Sequence, residues 1–184
     1  VMREPPKTWT TYKYRNEVGQ YVRSFNVPAN WKKLRVFINF DGVDSFFYLW
    51  INGKYVGFSK NSRSLAQFDI TKYLVKGANR VAVEVYRCSD GSFLETQDMF
   101  RMAGIIRSVY LTATPEIHVG DVVAIPDLDS HYINGALNVK LSVSNQSAKD
   151  AKRYSMHCSL YPMELYGDGT SDAPVAKAAV EVGD

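Results

Sequence analysis

Cysteine is scarce in this chain, and the two present, Cys88 and Cys158, lie far apart. There is no Cys-x-x-Cys pair, so a thiolate metal knuckle is excluded, and the two thiols read as free. They do not decide the redox compartment. Histidine is equally thin. His118, His131 and His157 are isolated from one another, with no His-x-x-x-His spacing, which argues against a transition-metal centre. His157 sits in an alternating run and reads as an ordinary surface or core residue. No Gly-x-Ser-x-Gly elbow and no phosphate loop occur, so neither a serine-hydrolase turn nor a nucleotide cradle is present. No apolar run reaches the roughly eighteen residues of a membrane-spanning helix, and no signal peptide is visible. An excess of one charge is also missing. The net charge of +3 is spread over scattered Lys and Arg, with no basic stripe for a nucleic acid to bind. The expected partners therefore include neither nucleic acid nor membrane.

What is abundant is apolar and aromatic. The 184 residues are 46% hydrophobic, with Tyr 12, Phe 9 and Trp 3, enough to bury a core and weighted towards β structure. Period-2 alternation marks strands at Gln20–Val27, Leu34–Phe40, Phe46–Ile51, Lys54–Ser59 and Arg80–Tyr86. Asn52-Gly53 between two β-rich runs predicts a hairpin, because both residues tolerate positive φ. Trp50, from its strand position, is expected in the core. Thr71–Leu74 reads as one helical turn, and 60–67 as a polar connection. Pro115 marks a change of pattern. Beyond it, strands are expected at Val119–Ile125, Ala136–Val143, Tyr154–Tyr161 and Val175–Val182. No helix of ordinary length and no repeat is expected. The fold class is all-β: two sandwiches in series, residues 1–115 and 116–184. The second block yields about four strands against the roughly seven of an immunoglobulin-like sandwich. With Val at position 1 and Gly-Asp at the end, the chain reads as a piece of a longer protein. Exposed strand edges and self-association are expected of it.

The long stretch Arg87–Arg107, between two strands, carries Asp90, Glu95 and Asp98. Loops of this length in compact β domains are commonly functional. Paired carboxylates suit glycoside hydrolysis, but in a loop they more often form turns or face solvent, and Asp90-Gly91 reads as a turn. Asp98 differs because its neighbours include Met99, Phe100 and Met102. A carboxylate placed there needs a partner if partly buried. Arg101 or Arg87 would serve structurally. Sugar hydroxyls or a hard cation would serve functionally.

Arg87-x-Ser-Asp-Gly-Ser-x-Leu-Glu-x-Gln-Asp-Met-Phe-Arg-Met-x-Gly-Ile-x-Arg107 resembles the signature of the N-terminal sugar-binding domain of glycoside hydrolase family 2. The similarity is greatest to the large bacterial β-galactosidases. Phe40–Ser59, Ser62-Arg63 with Phe68-Asp69-Ile70, and Gly77–Val83 agree as well, so the resemblance covers most of residues 16–115. Residues 117–184 resemble the family's second, immunoglobulin-like domain more loosely.

The resemblance implies a galactose-binding-like jelly roll, followed by a sandwich, incomplete at its C-terminus, that leads to a TIM barrel. The two catalytic glutamates belong to that barrel, so catalytic residues are expected outside this chain, and the piece by itself is expected to be inactive. Asp98 occupies the family position that contacts the galactosyl hydroxyls and helps ligate sodium. Asp90, Glu95, Gln97 and Arg101 would support its loop. Sodium, with magnesium as a further candidate, is implied for the full-length enzyme, as are the protein's own barrel domain as partner and a homo-oligomer. A bacterial parent in either cytoplasm or periplasm is compatible with these features. β-Glucuronidase- or β-mannosidase-type chemistry within the family is the nearest alternative. A free-standing carbohydrate-binding module is the other.

Overall fold

The computed structural model of the chain describes residues 16–95, 102–147, 154–163 and 173–182. It divides into two compact units, Val1–Pro115 and Glu116–Asp184.

The first unit is a two-sheet sandwich. Its strands are β1 (Val18–Asn26), β2 (Arg35–Phe40), β3 (Val43–Asp44), β4 (Phe46–Ile51), β5 (Lys54–Ser59), β6 (Ala66–Asp69), β7 (Ala78–Tyr86), β8 (Gly104–Ile105) and β9 (Val109–Thr114). One sheet has the order β1-β7-β4-β5 and the other β6-β2-β9, while β3 and β8 form a small separate ladder. All of these pairings are antiparallel. The core is the inward set from both sheets, which includes Val36, Ile38 and Phe40 of β2, Phe47, Leu49 and Ile51 of β4, and Val83 and Val85 of β7. The period-2 pattern dictates this set, since successive side chains on a strand point to opposite faces. The Asn52-Gly53 turn is present, with φ of 52° and 76°. Both values lie in the left-handed region that a type I′ turn requires.

The same alternation corrects the expectation for Trp50. It is half-buried on the outer face of β4, because its neighbours Leu49 and Ile51, both 0% exposed, take the inner positions. Phe46, Tyr48 and Trp50 instead form an outer aromatic layer with Tyr55, Phe58 and Tyr86. Tyr48–Trp50 ring centroids are 5.8 Å apart, Trp50–Tyr55 5.9 Å and Phe46–Tyr86 5.6 Å. Offset and edge-on rings at such separations attract one another beyond their area burial.

Other differences are local. The polar connection 60–67 is shorter than expected, because β6 begins at Ala66 and pairs with β2, with Asn39 opposite Gln67. The buried Asn39 is satisfied there by the Gln67 amide at 2.7 Å and by Thr112 Oγ1 at 2.9 Å. β7 likewise starts earlier than the expected Arg80, at Ala78. The buried Asn79 side chain bonds the Val75 N–H and carbonyl at 2.8 and 3.1 Å, closing the turn that leads into β7. The expected single turn is present as a 3-10 turn at Thr71–Tyr73.

In the second unit, β10 (Ile117–Leu128) pairs with β11 (Gly135–Asn145), and β12 (Ser155–Leu160) with β13 (Ala176–Glu181). The two ladders line a cleft of about 540 Å³ whose walls include Val122, Ala124, Val139, Leu141, Met156 and Cys158. Apolar side chains on the inner faces of two ladders are the arrangement of a sandwich. Two-stranded ladders cover little area, and Val122 and Val180 remain more than half exposed. The β10–β11 turn is held by Asp129, whose carboxylate accepts the N–H groups of His131, Ile133 and Asn134 at 3.1, 2.9 and 3.2 Å. These bonds hold the Asp129 carboxyl below the usual carboxylate range, the Ile133 N–H contributing most.

Two measurements test this packing. Leu49→Ala is expected to lower the unfolding free energy by about 2–5 kcal/mol, and Trp50→Ala by clearly less. Urea denaturation compares them, and equal losses would contradict the assignment of faces. The second test concerns acid. Burial acts to raise the Asp69 carboxyl, but bonds from the Thr71 hydroxyl and N–H and the Arg35 guanidinium outweigh it, so its pKa lies below the ordinary value. A folded pKa below the unfolded value of about 3.9 stabilises the fold above that pH. The contribution is lost as the pH falls through the folded pKa. Asp69→Asn is therefore expected to be less stable at neutral pH and to lose less stability between about pH 5 and pH 2. Parallel pH profiles for the two chains would contradict this.

Candidate functional site

The stretch Arg87–Arg107 is not one unbroken loop. A single helical turn, α1 (Gly91–Leu94), follows its start, and β8 pairs its end back onto the sandwich. Asp90, read from sequence as part of a simple turn, is the N-cap of α1 and accepts from the Gly91 N–H at 3.0 Å. Its other oxygen receives Lys60 Nζ at 2.8 Å, and chiefly through that bond its carboxyl is held below the ordinary Asp value.

The beginning of the stretch is tied down by residues that precede β1. Asn16 makes a reciprocal pair with Cys88: its Nδ2 donates to the Cys88 carbonyl at 3.0 Å, and its Oδ1 accepts the Cys88 N–H at 2.8 Å. Arg87 donates its N–H to the Glu17 carbonyl and its Nη1 to the Glu17 carboxylate, each at 3.0 Å. Arg87, one of the two arginines considered as partner for Asp98, is thus engaged with Glu17 at the foot of the loop. Residues 16 and 17 come before Gln20, where the first strand is expected from sequence. Nothing in the periodicity there reveals that they brace the loop.

Next comes a chain of three hydroxyls. Ser92 Oγ, on α1, donates to Ser45 Oγ at 2.8 Å and accepts the Ser89 N–H at 2.9 Å, while Ser45 and Ser89 hydroxyls lie 2.9 Å apart. Ser45 and Ser92 are both buried, so the chain satisfies groups that water does not reach. The Asp44–Ser45 peptide is cis.

Glu95 ends the helical turn, its N–H bonding the Gly91 carbonyl at 2.9 Å. Its carboxylate is captured by Ser62, from the connection between β5 and β6. The Ser62 hydroxyl donates to Oε2 at 2.5 Å and the Ser62 N–H to Oε1 at 3.3 Å. Ser62 is 1% exposed, and its hydroxyl also lies 3.4 Å from Asp44 Oδ1. Asp44 in turn stands opposite Gly104 in the β3–β8 ladder, and the Ile106 N–H bonds the Gly42 carbonyl at 3.1 Å. Gly104 has φ of +118°, and a Cβ there would lie 3.1 Å from the Tyr21 hydroxyl, so the return of the chain depends on glycine at this position.

Of the residues selected from sequence, the structure thus places Asp90 and Glu95 at the two ends of α1, both anchored to the segment after β5. Gln97, Asp98 and Arg101 lie outside the described residues. Ser62 and Asp44 belong to stretches that resemble the family, but neither was selected as a site residue. Ser45, Asn16 and Glu17 were not selected either, because their roles arise from contacts far apart in sequence. Among the described residues no three His, Cys, Asp or Glu side chains gather where a metal ion would sit. Cys88 and Cys158 are free thiols. No described helix is long and apolar enough to cross a membrane.

Comparison with known proteins agrees with this arrangement. The profile of "Glycosyl hydrolases family 2, sugar binding domain" matches residues 6–115. A β-galactosidase of Priestia megaterium is 48% identical over 158 residues, covering 86% of this chain and 15% of its own length. One from Clostridium acetobutylicum is 43% identical over 150 residues, covering 82% of this chain and 16% of its own. The chain thus spans about a sixth of the length of these relatives. Among solved structures, a β-glucuronidase of Bacteroides uniformis superposes with a TM-score of 0.71 over 94% of this chain and 21% of its own, at 23% identity, a likeness of fold alone. With an all-β sandwich, the two described ends of the signature stretch rooted on it and the profile spanning residues 6–115, the chain belongs to glycosyl hydrolase family 2.

Proposed function

We propose that the protein carrying this chain is a retaining β-galactosidase that hydrolyses terminal non-reducing β-D-galactosides. In this reading the chain supports an active site whose two catalytic glutamates lie in a TIM-barrel domain. The observation that carries the proposal is the 48% identity over 158 residues to a protein named β-galactosidase, a similarity that runs through both units. The β-glucuronidases among the solved structures are far less similar, at 23% identity or so, and weigh on the fold only.

The chemistry assigned to the barrel is double displacement. One carboxylate attacks the anomeric carbon, the other protonates the leaving oxygen, and water then releases the sugar with retention. Asp98 contributes a carboxylate that accepts hydrogen bonds from galactosyl hydroxyls. Such contacts orient the ring, and orientation lowers the barrier without a covalent role. In the same reading Asp98 is also a sodium ligand, carboxylate oxygen being a suitable donor for a hard cation, and magnesium is a further ion of the full-length enzyme. Gln97 and Arg101 flank Asp98 and support it. The other partners are the protein's own barrel domain and further copies of the chain in a homo-oligomer.

Two assays test the reading. In the full-length protein, Asp98→Ala is expected to reduce kcat/KM for a nitrophenyl β-galactoside by at least about a hundredfold. Near-normal kcat/KM there, or a preference for glucuronides over galactosides in the unaltered protein, would overturn it. The 184-residue chain alone is expected to show no hydrolysis and no sub-millimolar binding of galactose or lactose by calorimetry. Sub-millimolar binding would instead identify a free-standing carbohydrate-binding module.

A further inference from the structure

We infer that the outer edge of β9 receives one further β-strand, supplied by a part of the protein outside this chain, which makes the sheet β6-β2-β9 four-stranded. The inference rests on the reading above only in taking the protein to extend beyond these 184 residues, as its relatives do. Its starting point is a mismatch between the two sheets of the first unit. One has four strands, β1-β7-β4-β5, and the other three, β6-β2-β9. Two contacts show which strands lie across from each other. Phe68 of β6 sits so close to Gly57 of β5 that a Cβ there would lie 2.9 Å from its ring, and Phe40 of β2 meets Phe47 of β4 at 4.7 Å between centroids. With β6 across from β5 and β2 across from β4, aligned sheets put β9 across from β7. Among the described strands, none is then left to cover β1. Burial follows this order. Cross-strand partners share a face, so Tyr21 and Arg23, opposite Val83 and Val81, point inward. Val83 is 5% exposed, but Tyr21 is 42% exposed and Arg23 is exposed too. Val109 likewise points inward beside Phe40, yet it is 41% exposed against 1% for Phe40.

The backbone specifies the kind of occupant. The Asp41 N–H bonds the Ser108 carbonyl, which sets the phase of the β2–β9 ladder. Stepping along by two, Tyr110, Thr112 and Thr114 turn their N–H and C=O groups towards β2, and Val109, Leu111 and Ala113 turn theirs away from it. Two bonds agree with that phase. The Asn39 amide reaches the Tyr110 carbonyl at 3.4 Å, and Val36, opposite Ala113, accepts the Ile70 N–H on its other side. The outward groups of Val109, Leu111 and Ala113 form a row at strand spacing, which an extended segment matches and a helix does not. The β9 sequence, Val-Tyr-Leu-Thr-Ala-Thr, also has neither the Lys nor the Pro that keeps a solvent-facing edge from pairing. Residues of the incoming strand opposite Val109, Leu111 and Ala113 would face inward, across from Tyr21. The segment that fits is therefore apolar at every second position.

The test is amide hydrogen exchange of the full-length protein, resolved to single residues by fragmentation in the mass spectrometer. The Val109, Leu111 and Ala113 amides are expected to exchange at least about a hundredfold more slowly than an unstructured chain, as slowly as the Tyr110 and Thr112 amides that bond β2. An alternating pattern, with Val109, Leu111 and Ala113 fast and Tyr110 and Thr112 slow, marks a bare edge and overturns the inference. The occupant is identified separately, with a benzophenone photo-cross-linker replacing Tyr21 in the full-length protein. The expected product joins that position to a peptide of the same polypeptide outside the 184 residues. A cross-link to a second copy, seen as a covalent dimer, or to a peptide within the 184 residues overturns the assignment of the strand. The exchange measurement needs no substitution, so it decides the matter even if the cross-linker disturbs folding. Neither measurement uses a substrate. A bare edge leaves the β-galactosidase reading standing, and failure of the galactoside assays leaves the exchange pattern to be read on its own.

Discussion

The first unit depends on one constraint: polar groups brought out of water to root the long loop must all find partners there. Ser45, Ser62 and Ser92 are buried, and each bonds an atom from a distant part of the chain. A buried hydroxyl left without a partner costs about 1–3 kcal/mol. The loop therefore cannot lift away from the sandwich without exposing or orphaning several groups together. That coupling makes a stretch between two strands behave as part of the rigid frame at both of its ends.

The frame itself is apolar and simple. Two sheets contribute alternate residues to a core in which Phe40 and Phe47 meet at 4.7 Å between ring centroids. The outer face of β4, β5 and β7 carries a second, aromatic layer. The polar network sits at the margin of this core, where β3 leaves β2 and turns into β4. Asp41 to Ser45 thus serves two purposes: it joins the core strands β2 and β4, and it receives both stalks of the loop, the first at Ser45 and the return at Gly42 to Asp44. The Asp41 N–H bonds the Ser108 carbonyl at 3.1 Å, one more link between this short segment and the loop's return.

Much of the sandwich was legible from the sequence because period-2 alternation reports directly on which side chains face inward. β2, β4, β5 and β7 follow from it, as does the Asn52-Gly53 hairpin. Trp50 is the exception: its position in a strand suggested the core, but Leu49 and Ile51 on either side take the inner face and leave it on the outer one. The short elements were not legible. β3, β8 and α1 are two to four residues long, too short for any period to register. They exist because partners distant in sequence satisfy their backbone groups. Asp90 was legible as a turn residue, but its pairing with Lys60 was not.

The sequence by itself determined the fold class, the division near Pro115, the core strands and, through the long motif ending at Arg107, the family. Each is written in neighbouring residues: alternation, turn chemistry and an uninterrupted signature. Only the tertiary structure decided how the signature loop is held, through Asn16 and Glu17 at its start, the serine chain under α1, and Ser62 between Glu95 and Asp44. These contacts join residues eighteen to more than seventy positions apart. Hydrogen bonds at that separation follow from how the sheets stack and leave no period in the chain, so no local pattern could announce them.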